Sequence, residues 1–253
     1  MTSSHAERAA PGSRRTGRRR LYLMRHGHVD YFAEGLTDFT QVPLTEEGER
    51  QAKAAGEALR LVSFDAAFSS GLPRTQATLR HVLEANNHDA PPALGLPAFA
   101  ELRGGSVTVE TREELAARLA FSFDAAGEEG AAFLPGGEVF SDAYARVTEG
   151  LQALVREHDW KSALLVAHDG VNRLLLGFAC GAGLQGCAHF EQDLACINVL
   201  DFDVVEAEDG TLELLRVVIK AVNLTAYDAV KETLPRTSLE HLFDIDFGGA
   251  RPV

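Results

Sequence analysis

Short apolar runs alternate along the chain with longer segments in which apolar residues recur at helical spacing. The apolar run 21–24 (Leu-Tyr-Leu-Met) has the length of a buried strand, and the wholly apolar residues 163–167 are typical of a central parallel strand. Between these two runs, Ala52, Ala55 and Leu59 recur at a spacing that predicts the buried face of a helix.

The pattern predicts strands and helices joined by polar segments. The predicted strands cover residues 20–24, 64–69, 163–167, 197–202 and 212–221. The predicted helices cover residues 46–61, 73–85, 111–126, 138–158 and 170–180. Because strands and helices alternate over most of the chain, we expect an α/β protein with a mostly parallel central sheet between two helical layers, a three-layer α/β/α sandwich.

Residues at the predicted boundaries support these elements. Thr45 is a typical helix N-cap, and two glutamates follow it in the first turn, where the helix dipole favours acidic side chains. Pro73 suits the first turn of the second helix. Residues 87–98 form a Pro-rich connection, and the segment after Thr225 is expected to contain one short helix before Pro235.

The composition is that of one large folded domain preceded by a basic tail. The chain has 253 residues, 45% hydrophobic and 24% charged, which is enough to bury a sizeable core. Residues 1–19 are rich in Arg, Ser, Ala and Gly, so we expect a disordered tail in which the arginines of the run 14–20 are solvated. Residues 20–253 then form a single domain, in which 221–253 are a C-terminal extension.

The charge distribution excludes some classes of partner. The chain carries a net charge of −13, and its first 20 residues hold six arginines and one acidic residue, so the remainder carries −18. Such an acidic body does not attract nucleic acid non-specifically, and an anionic substrate would need a local basic pocket. No apolar segment reaches the roughly 18 residues that span a bilayer, and the tail lacks the apolar core of a signal peptide. We therefore expect no nucleic-acid partner and no membrane partner.

Three cysteines lie within one stretch of the chain. Cys180, Cys187 and Cys196 are separated by seven and nine residues, which does not fit a compact zinc site. Buried free thiols are the preferred interpretation. Because free thiols fit a reducing compartment, the predicted location is cytoplasmic.

Four polar motifs follow predicted strands or lead into predicted helices. Arg25 and His26 come directly after the first strand, and Arg74 follows the second strand. His168 follows the apolar strand at 163–167. The fourth motif, Pro-Leu-Thr-x-x-Gly-x-x-Gln-Ala at residues 43–52, leads into the first helix. Guanidinium groups match phosphate oxygens, and histidine serves as a nucleophile or proton carrier near neutral pH. If the strands are parallel neighbours, two arginines and two histidines converge at one sheet edge as a phosphate pocket.

This set of motifs, in this order, resembles the histidine phosphatase superfamily, also called the phosphoglycerate mutase-like family, over residues 20–205. The resemblance implies a metal-independent phosphomonoesterase without a cofactor that works through a phosphohistidine. It implies that His26 is the catalytic nucleophile. It also implies that Arg25 and Arg74 bind the substrate phosphate, and that His168 completes the pocket in binding and catalysis. The flanking arginines should lower the pKa of His26 and so favour the neutral ring.

A general acid is also needed to protonate the leaving oxygen. The family uses an acid in a Glu-x-x-x-Gly segment after the second helix, and residues 101–105, Glu-Leu-Arg-Gly-Gly, fit that spacing and position. By this resemblance Glu101 protonates the leaving oxygen and then activates water. Glu110, Glu113 and Glu114 lie nearby in the sequence and are alternatives.

The chain departs from the family pattern just after the Arg-His-Gly motif. His28 stands where the family often has Glu or Gln, and we assign it either to the pocket mouth or to a structural role. The usual Asn phosphate contact is missing at Phe32. Substrate specificity is expected to lie in residues 28–42, in residues 103–140 and in the tail after Thr225, where the resemblance is weakest.

Hydrolysis is the leading interpretation, and two alternatives stand beside it. Residues 103–140 contain three arginines among more numerous acidic residues, which is less basic than a mutase for a bisphosphorylated sugar acid requires. A phosphoglycerate mutase-type phosphoryl transfer is still one alternative, and a non-catalytic phospho-ligand or protein-binding module is the other. The expected substrate is a small phosphorylated metabolite or a phosphoprotein. Because family members are often dimers, a homodimer is one option.

Overall fold

A mixed six-stranded sheet forms the centre of the structure. The computed structural model describes residues 16–31, 33–105, 111, 114 and 121–243. The strands are β1 (Gly17–Arg25), β2 (Ala66–Ser69), β3 (Ala93–Gly95), β4 (Ser162–Ala167), β5 (Ile197–Glu206) and β6 (Leu212–Leu224). Their order in the sheet is β3-β2-β4-β1-β5-β6. The first four in this order form a parallel set, and β5 and β6 add antiparallel strands, so the predicted mostly parallel sheet is confirmed.

Helices pack on both faces of this sheet. They are α1 (Glu46–Leu59), α2 (Pro73–Glu84), α3 (Phe140–Glu157), α4 (Asp169–Ala179) and the short α5 (Ser238–Phe243). Single 3-10 segments cover Pro97–Phe99, Ser122–Ala125 and Gly183–His189. In the part of the chain that the structure describes, no helix is both long enough and apolar enough to cross a membrane.

The central strand β4 divides the core into two layers. Successive side chains of a strand point to opposite faces of its sheet. Leu165 packs with α3 and α4 on one face, whereas Leu164 and Val166 pack with α1 and α2 on the other. All three side chains are fully buried, which explains why this strand is apolar throughout. The arrangement is the predicted three-layer α/β/α sandwich.

The first strand begins earlier than the sequence predicts. β1 starts at Gly17, whereas the predicted strand starts at Arg20. Arg18 and Arg20 extend from β1 toward β5, where they form ion pairs with Asp203 at 2.8 Å and Asp201 at 2.7 Å. These acids lie far away in the sequence, so the local composition around the arginines could not reveal them.

Arg19, between the two paired arginines, points into the core. Its side chain is fully buried and donates hydrogen bonds to the backbone carbonyls of Val155 at 3.0 Å and His158 at 3.1 Å. The guanidinium carbon also lies 5.3 Å from the ring centroid of Trp160. The expectation of a solvated basic run is therefore wrong where the run enters β1, and residues 1–15 lie outside the described residues.

Three further predictions change in detail. Strand β3 lies within the predicted connection 87–98, and it lacks a strong apolar signal because it is a short, exposed strand at the sheet edge. The C-terminal helix α5 follows Pro235 instead of preceding it. Of the predicted helix 111–126, the described part contains a 3-10 turn at Ser122–Ala125, and most of the remainder lies outside the described residues.

The three cysteines are free thiols, and two of them have the predicted burial. Cys187 and Cys196 are buried, whereas Cys180 is exposed. Burial raises the pKa of Cys187 to about 11 and that of Cys196 to about 12. Both thiols are therefore protonated at neutral pH and unreactive.

Replacing Arg19 with Met is expected to destabilise the fold, because two carbonyls at the end of α3 lose their donor. The free energy of unfolding should fall by about 1–3 kcal/mol, measured by urea denaturation. The control Arg18→Met removes a neighbouring exposed ion pair and should leave the unfolding midpoint nearly unchanged. Equal effects of the two substitutions would contradict a special role for the buried arginine.

Candidate active site

The two motif histidines meet because β1 and β4 are parallel neighbours. Arg25, the last residue of β1, lies opposite Ala167, the last residue of β4. The backbone N–H of His26 donates to the Ala167 carbonyl at 3.2 Å. His26 and His168 therefore follow adjacent strand ends, and their ring centroids lie 5.2 Å apart. The structure brings the two histidines together at the sheet edge, as the sequence predicts.

The loop after β1 packs tightly on the first turn of α1. A Cβ atom on Gly27 would overlap the carbonyl of Gly48, and a Cβ atom on Gly48 would overlap the backbone of His28. Both positions therefore require glycine. Thr45 caps α1 by accepting from the Gly48 N–H at 3.1 Å, and Thr78 on α2 accepts from the Gly27 N–H at 3.1 Å. These contacts give a physical reason for the motif that leads into the first helix.

The ring of His26 has the protonation state that a nucleophile needs. Its Nδ1 lies 2.7 Å from the carbonyl oxygen of Gly27. Because a carbonyl oxygen only accepts, Nδ1 carries the proton and Nε2 keeps its lone pair. Burial, followed by the positive charges of Arg74 and Arg25, holds the pKa of His26 well below its usual range. The ring is therefore neutral at neutral pH.

Two buried arginines and the second histidine carry nitrogens without partners. Arg25 is 5% exposed and donates to the backbone carbonyl of Gln192; Arg74 is 3% exposed and donates to the carbonyl of Phe39 at 3.2 Å. Within the described part of the chain, Nε of each arginine and Nδ1 of His168 make no hydrogen bond. A buried polar atom without a partner costs about 1–3 kcal/mol. The three nitrogens therefore favour an anion with several acceptor oxygens.

A buried amide network positions Arg25, and the motifs did not identify it. Gln192, whose carbonyl accepts from Arg25, also accepts at its Oε1 from Asn198 Nδ2 at 2.8 Å. The same Asn198 amide donates to the carbonyl of Leu23 at 3.1 Å, so it connects β5 to β1 below the pocket. An asparagine between Ile197 and Val199, at the apolar start of the predicted strand, was the signal that could have revealed this network.

Ser70 and Thr75 hold the ring of His168 from the β2 side. Ser70 Oγ lies 2.8 Å from His168 Nε2 and 2.9 Å from Thr75 Oγ1. Burial, followed by the neighbouring His26 ring and the arginines, lowers the pKa of His168 well below its usual range. Ser70, directly after β2, therefore positions the second histidine, a role that the sequence motifs did not show.

Glu101 reaches the same site from the loop after Pro97–Phe99. Its Oε1 accepts from the N–H of Leu102 at 2.9 Å and would lie 2.8 Å from a Cβ atom on Gly170, in the first turn of α4. Burial, and next the charge of Asp169, raises the pKa of the Glu101 carboxyl against the opposite effect of the arginines. A raised pKa favours the protonated acid that a leaving alkoxide requires.

The alternatives to Glu101 have no described place in the site. Glu110 and Glu113 lie outside the described residues. Glu114 is described, and its backbone N–H donates to Thr111 Oγ1 at 3.1 Å. Of the four candidates, the described structure places Glu101 against the histidine pocket.

Asp169, which directly follows His168, also belongs to the site. The sequence motifs did not assign a role to it. Its Oδ1 lies 2.7 Å from Nε of Arg173, which is itself buried and also pairs with Glu191 at 3.3 Å. This ion pair holds the Asp169 carboxylate beside Glu101. The four-residue separation of Asp169 and Arg173 on a predicted helix was the available signal.

His28 joins two helices rather than the phosphate pocket. Its Nδ1 lies 2.8 Å from Thr45 Oγ1, and its ring centroid lies 6.5 Å from that of His241 on α5. Burial, followed by the charge of His241, lowers the pKa of His28. These contacts favour the structural one of its two assignments. Phe32, which replaces the usual asparagine, lies outside the described residues.

Sequence comparison identifies the family. The model of the histidine phosphatase superfamily (branch 1) matches residues 21–214, and the chain belongs to this superfamily. The adenosylcobalamin/α-ribazole phosphatase of Salmonella typhimurium is 31% identical over 184 residues, which cover 72% of this chain and 90% of that relative. The 2,3-bisphosphoglycerate-dependent phosphoglycerate mutase 2 of Gloeobacter violaceus is 38% identical over 99 residues, which cover 39% of this chain and 45% of that relative.

Structure comparison agrees with this membership. The α-ribazole phosphatase of Shigella flexneri has a TM-score of 0.60 and 26% identity, with 81% of this chain and 96% of that chain covered. A mycobacterial glucosyl-3-phosphoglycerate phosphatase has a TM-score of 0.63 at 23% identity and shows the fold alone; it covers 81% of this chain and 99% of its own. The phosphoglycerate mutase-like fold is therefore confirmed. Membership of the family also confirms phosphatase activity through a phosphohistidine intermediate, which is general for the family.

Gly170→Ala is expected to displace the candidate general acid, because the new Cβ atom would overlap the side chains of Glu101 and Leu102. Hydrolysis of an alkyl phosphate should fall by roughly 10- to 100-fold, since the misplaced acid no longer protonates the leaving oxygen. Hydrolysis of p-nitrophenyl phosphate, whose leaving group needs no proton, should fall less. The values of kcat/KM for the two esters, which report the first half of the reaction, measure the difference.

The matched control for this substitution is Gly104→Ala. Gly104 lies in the same Glu-x-x-x-Gly loop, and a Cβ atom there would meet no described residue within 4 Å. This variant should keep the kcat/KM of the parent protein for both esters. Equal activity of Gly170→Ala and Gly104→Ala on the alkyl ester would contradict the placement of Glu101.

Proposed function

We propose that this site hydrolyses the phosphomonoester of a small metabolite, with His26 as nucleophile. The observation that carries the proposal is the set of three buried nitrogens, on Arg25, Arg74 and His168, that have no partner among the described residues and lie around a neutral histidine. A phosphoryl group offers several acceptor oxygens and a double negative charge. It would satisfy these nitrogens and offset the buried positive charges in one step.

The first half of the reaction forms the phosphohistidine. His26 Nε2 attacks phosphorus, and the bond from phosphorus to the ester oxygen breaks. Glu101 gives its proton to the departing oxygen, so the product leaves as a neutral alcohol. The arginines stabilise the charge that spreads over the three remaining phosphoryl oxygens, which is the main contribution that a protein makes to phosphoryl transfer.

The second half of the reaction restores the site. The Glu101 carboxylate, now ionised, takes a proton from water, and the water oxygen attacks phosphorus as the bond to Nε2 breaks. Phosphate leaves and Glu101 is again protonated. His168 acts in both halves, since a phosphoryl dianion beside Nδ1 would favour the doubly protonated ring, which donates from Nδ1 to phosphate and from Nε2 to Ser70.

The named relatives suggest the first substrate to assay. Two similar proteins are α-ribazole phosphatases, so α-ribazole phosphate heads the list of small phosphorylated metabolites. A phosphoprotein substrate, a cytoplasmic location and a homodimer stay predictions. Light scattering of the purified chain measures the oligomeric state.

The charges of the described residues favour hydrolysis over a mutase reaction. A mutase must bind a second anionic group outside the catalytic phosphate pocket. Arg103 is 80% exposed at its side chain and lies 3.9 Å from the carboxylate of Glu138, so its charge is turned toward an acid. Arg112 and Arg118 lie outside the described residues. An assay of 3-phosphoglycerate isomerisation beside phosphate release separates the two reactions.

His26→Ala is expected to reduce hydrolysis of p-nitrophenyl phosphate by at least about 1,000-fold, because the phosphohistidine cannot form without the His26 ring. An acid-labile phosphoprotein should be trapped with the parent protein and not with this variant. The control His88→Ala changes an exposed histidine and should keep full activity. Chelator should have no effect on the parent protein, and retained turnover in His26→Ala would contradict the assignment.

Asp169→Asn is expected to move the alkaline limb of the pH–rate profile to lower pH. The negative charge of Asp169 raises the pKa of Glu101. Its removal therefore lowers that pKa, and the protonated acid is lost at a lower pH. The profile of kcat/KM for an alkyl phosphate measures the shift. An unmoved limb would contradict the coupling, and p-nitrophenyl phosphate should show little shift in either protein.

A further inference from the structure

An exposed aromatic side chain lies at the rim of the arginine pocket. Phe39, in the loop between β1 and α1, is 61% exposed. Its ring centroid lies 6.2 Å from that of Tyr31, with the two planes inclined by 46°. The two rings therefore form one continuous aromatic surface, which we call the Tyr31–Phe39 surface. It plays no part in the chemistry described above.

Arg74 connects this surface to the phosphate pocket. Its guanidinium donates to the backbone carbonyl of Phe39 at 3.2 Å, and its central carbon lies 6.0 Å from the Tyr31 ring centroid. One residue thus contacts both members of the surface while its Nε remains unpartnered within the described residues. A phosphoryl group bound at Arg74 would place its ester substituent within reach of the two rings.

Tyr31 also faces the acid that serves the leaving group. After burial, the charged groups that act on the Tyr31 phenol are Arg74, Glu101, Arg25 and Asp169, and the net result is a raised pKa. The Tyr31 ring therefore lies near enough to the phosphate-binding arginines and to the candidate general acid for their charges to act on its phenol. Because Glu101 must contact the departing oxygen, the alcohol part of the substrate has to pass this ring.

Local hydrogen bonds keep Phe39 on the outside of the loop. Asp38 Oδ1 accepts from the backbone N–H of Thr40 at 2.8 Å and from its hydroxyl at 2.6 Å. These bonds form a tight turn around Phe39 that does not need the ring to be buried. Exposure of a phenylalanine ring to water is unfavourable in free energy. A ligand that covered the face of the ring would remove this cost.

We propose that the Tyr31–Phe39 surface binds the alcohol part of the substrate, and that preferred substrates carry a flat apolar ring close to the phosphoester. The inference rests on the proposed function and deepens it. Aromatic faces pack best against other flat rings, and the pair contributes one hydroxyl and no charge, so it is poorly suited to a second phosphate or a carboxylate.

The test compares two esters whose leaving alcohols have similar acidity. 2-Phenylethyl phosphate carries a ring and propyl phosphate does not, and in both the reacting bond is attached to a simple alkyl group. We expect kcat/KM of the parent protein to be about 3- to 10-fold higher for the phenylethyl ester. 2-Cyclohexylethyl phosphate should fall between the two, because it is apolar but not flat.

Substitutions then assign this preference to the surface. Phe39→Ala should lower kcat/KM for the phenylethyl ester by about 3- to 10-fold and change that for propyl phosphate by less than about twofold, and Tyr31→Leu should lower the ratio of the two values. Tyr31→Phe should keep the preference, because the ring remains. The matched control Leu215→Ala removes a large apolar side chain that is 71% exposed on β6, and it should leave both values unchanged.

Other outcomes overturn the inference. A parent protein without the phenylethyl preference, or a Phe39→Ala variant that loses both esters equally, would show that the surface does not select the alcohol. If propyl phosphate turnover still depends on His26 in that case, the proposed function stands and only this inference fails. If His26→Ala hydrolyses both esters as well as the parent protein, the proposed function fails first.

Discussion

The parallel pairing of β1 with β4 is the constraint on which the site depends. Arg25 and Ala167 are register partners, and the N–H of His26 continues the ladder to the Ala167 carbonyl. Because parallel strands end at the same sheet edge, this register places His26 and His168 side by side although they are far apart in the sequence. A shift of one residue would turn each side chain to the opposite face of the sheet and separate the rings.

The same pairing concentrates positive charge inside an acidic protein. Arg25, Arg74 and two histidines are buried together at one sheet edge, where charge is costly. Both rings respond with lowered pKa values and stay neutral, so the arginines provide the fixed charge. Glu101 and Asp169 supply nearby acidic groups, of which Glu101 has a raised pKa. The pocket therefore combines a neutral histidine, an acid with a raised pKa and a cationic cradle, and an added anion would relieve its remaining electrostatic cost.

Local patterns in the sequence were sufficient for the architecture and for most of the chemistry. The apolar run 163–167 is typical of a strand buried on both faces, and the alternation of such runs with helical segments led to the three-layer fold. The site residues lie where predicted strands end or predicted helices begin: Arg25, His26, Arg74 and His168. Because parallel strands end at the same edge of a sheet, the convergence of these residues could be anticipated. These features depend on neighbours in the sequence, which is the information that a pattern contains.

Features that depend on distant partners were decided by the tertiary structure alone. Arg19 belongs to the core because the carbonyl ends of α3 and the ring of Trp160 lie beside β1, whereas its local sequence resembles a solvated tail. Glu101 and Asp169 become coupled because Gly170 leaves room for a carboxyl group against the start of α4. Phe39 meets the pocket through a backbone carbonyl, which no side-chain pattern encodes. The sequence by itself determined the class of fold and the residue types that gather at the sheet edge, and the packing of remote segments decided which side chains surround them, because burial and charge coupling arise only when those segments meet.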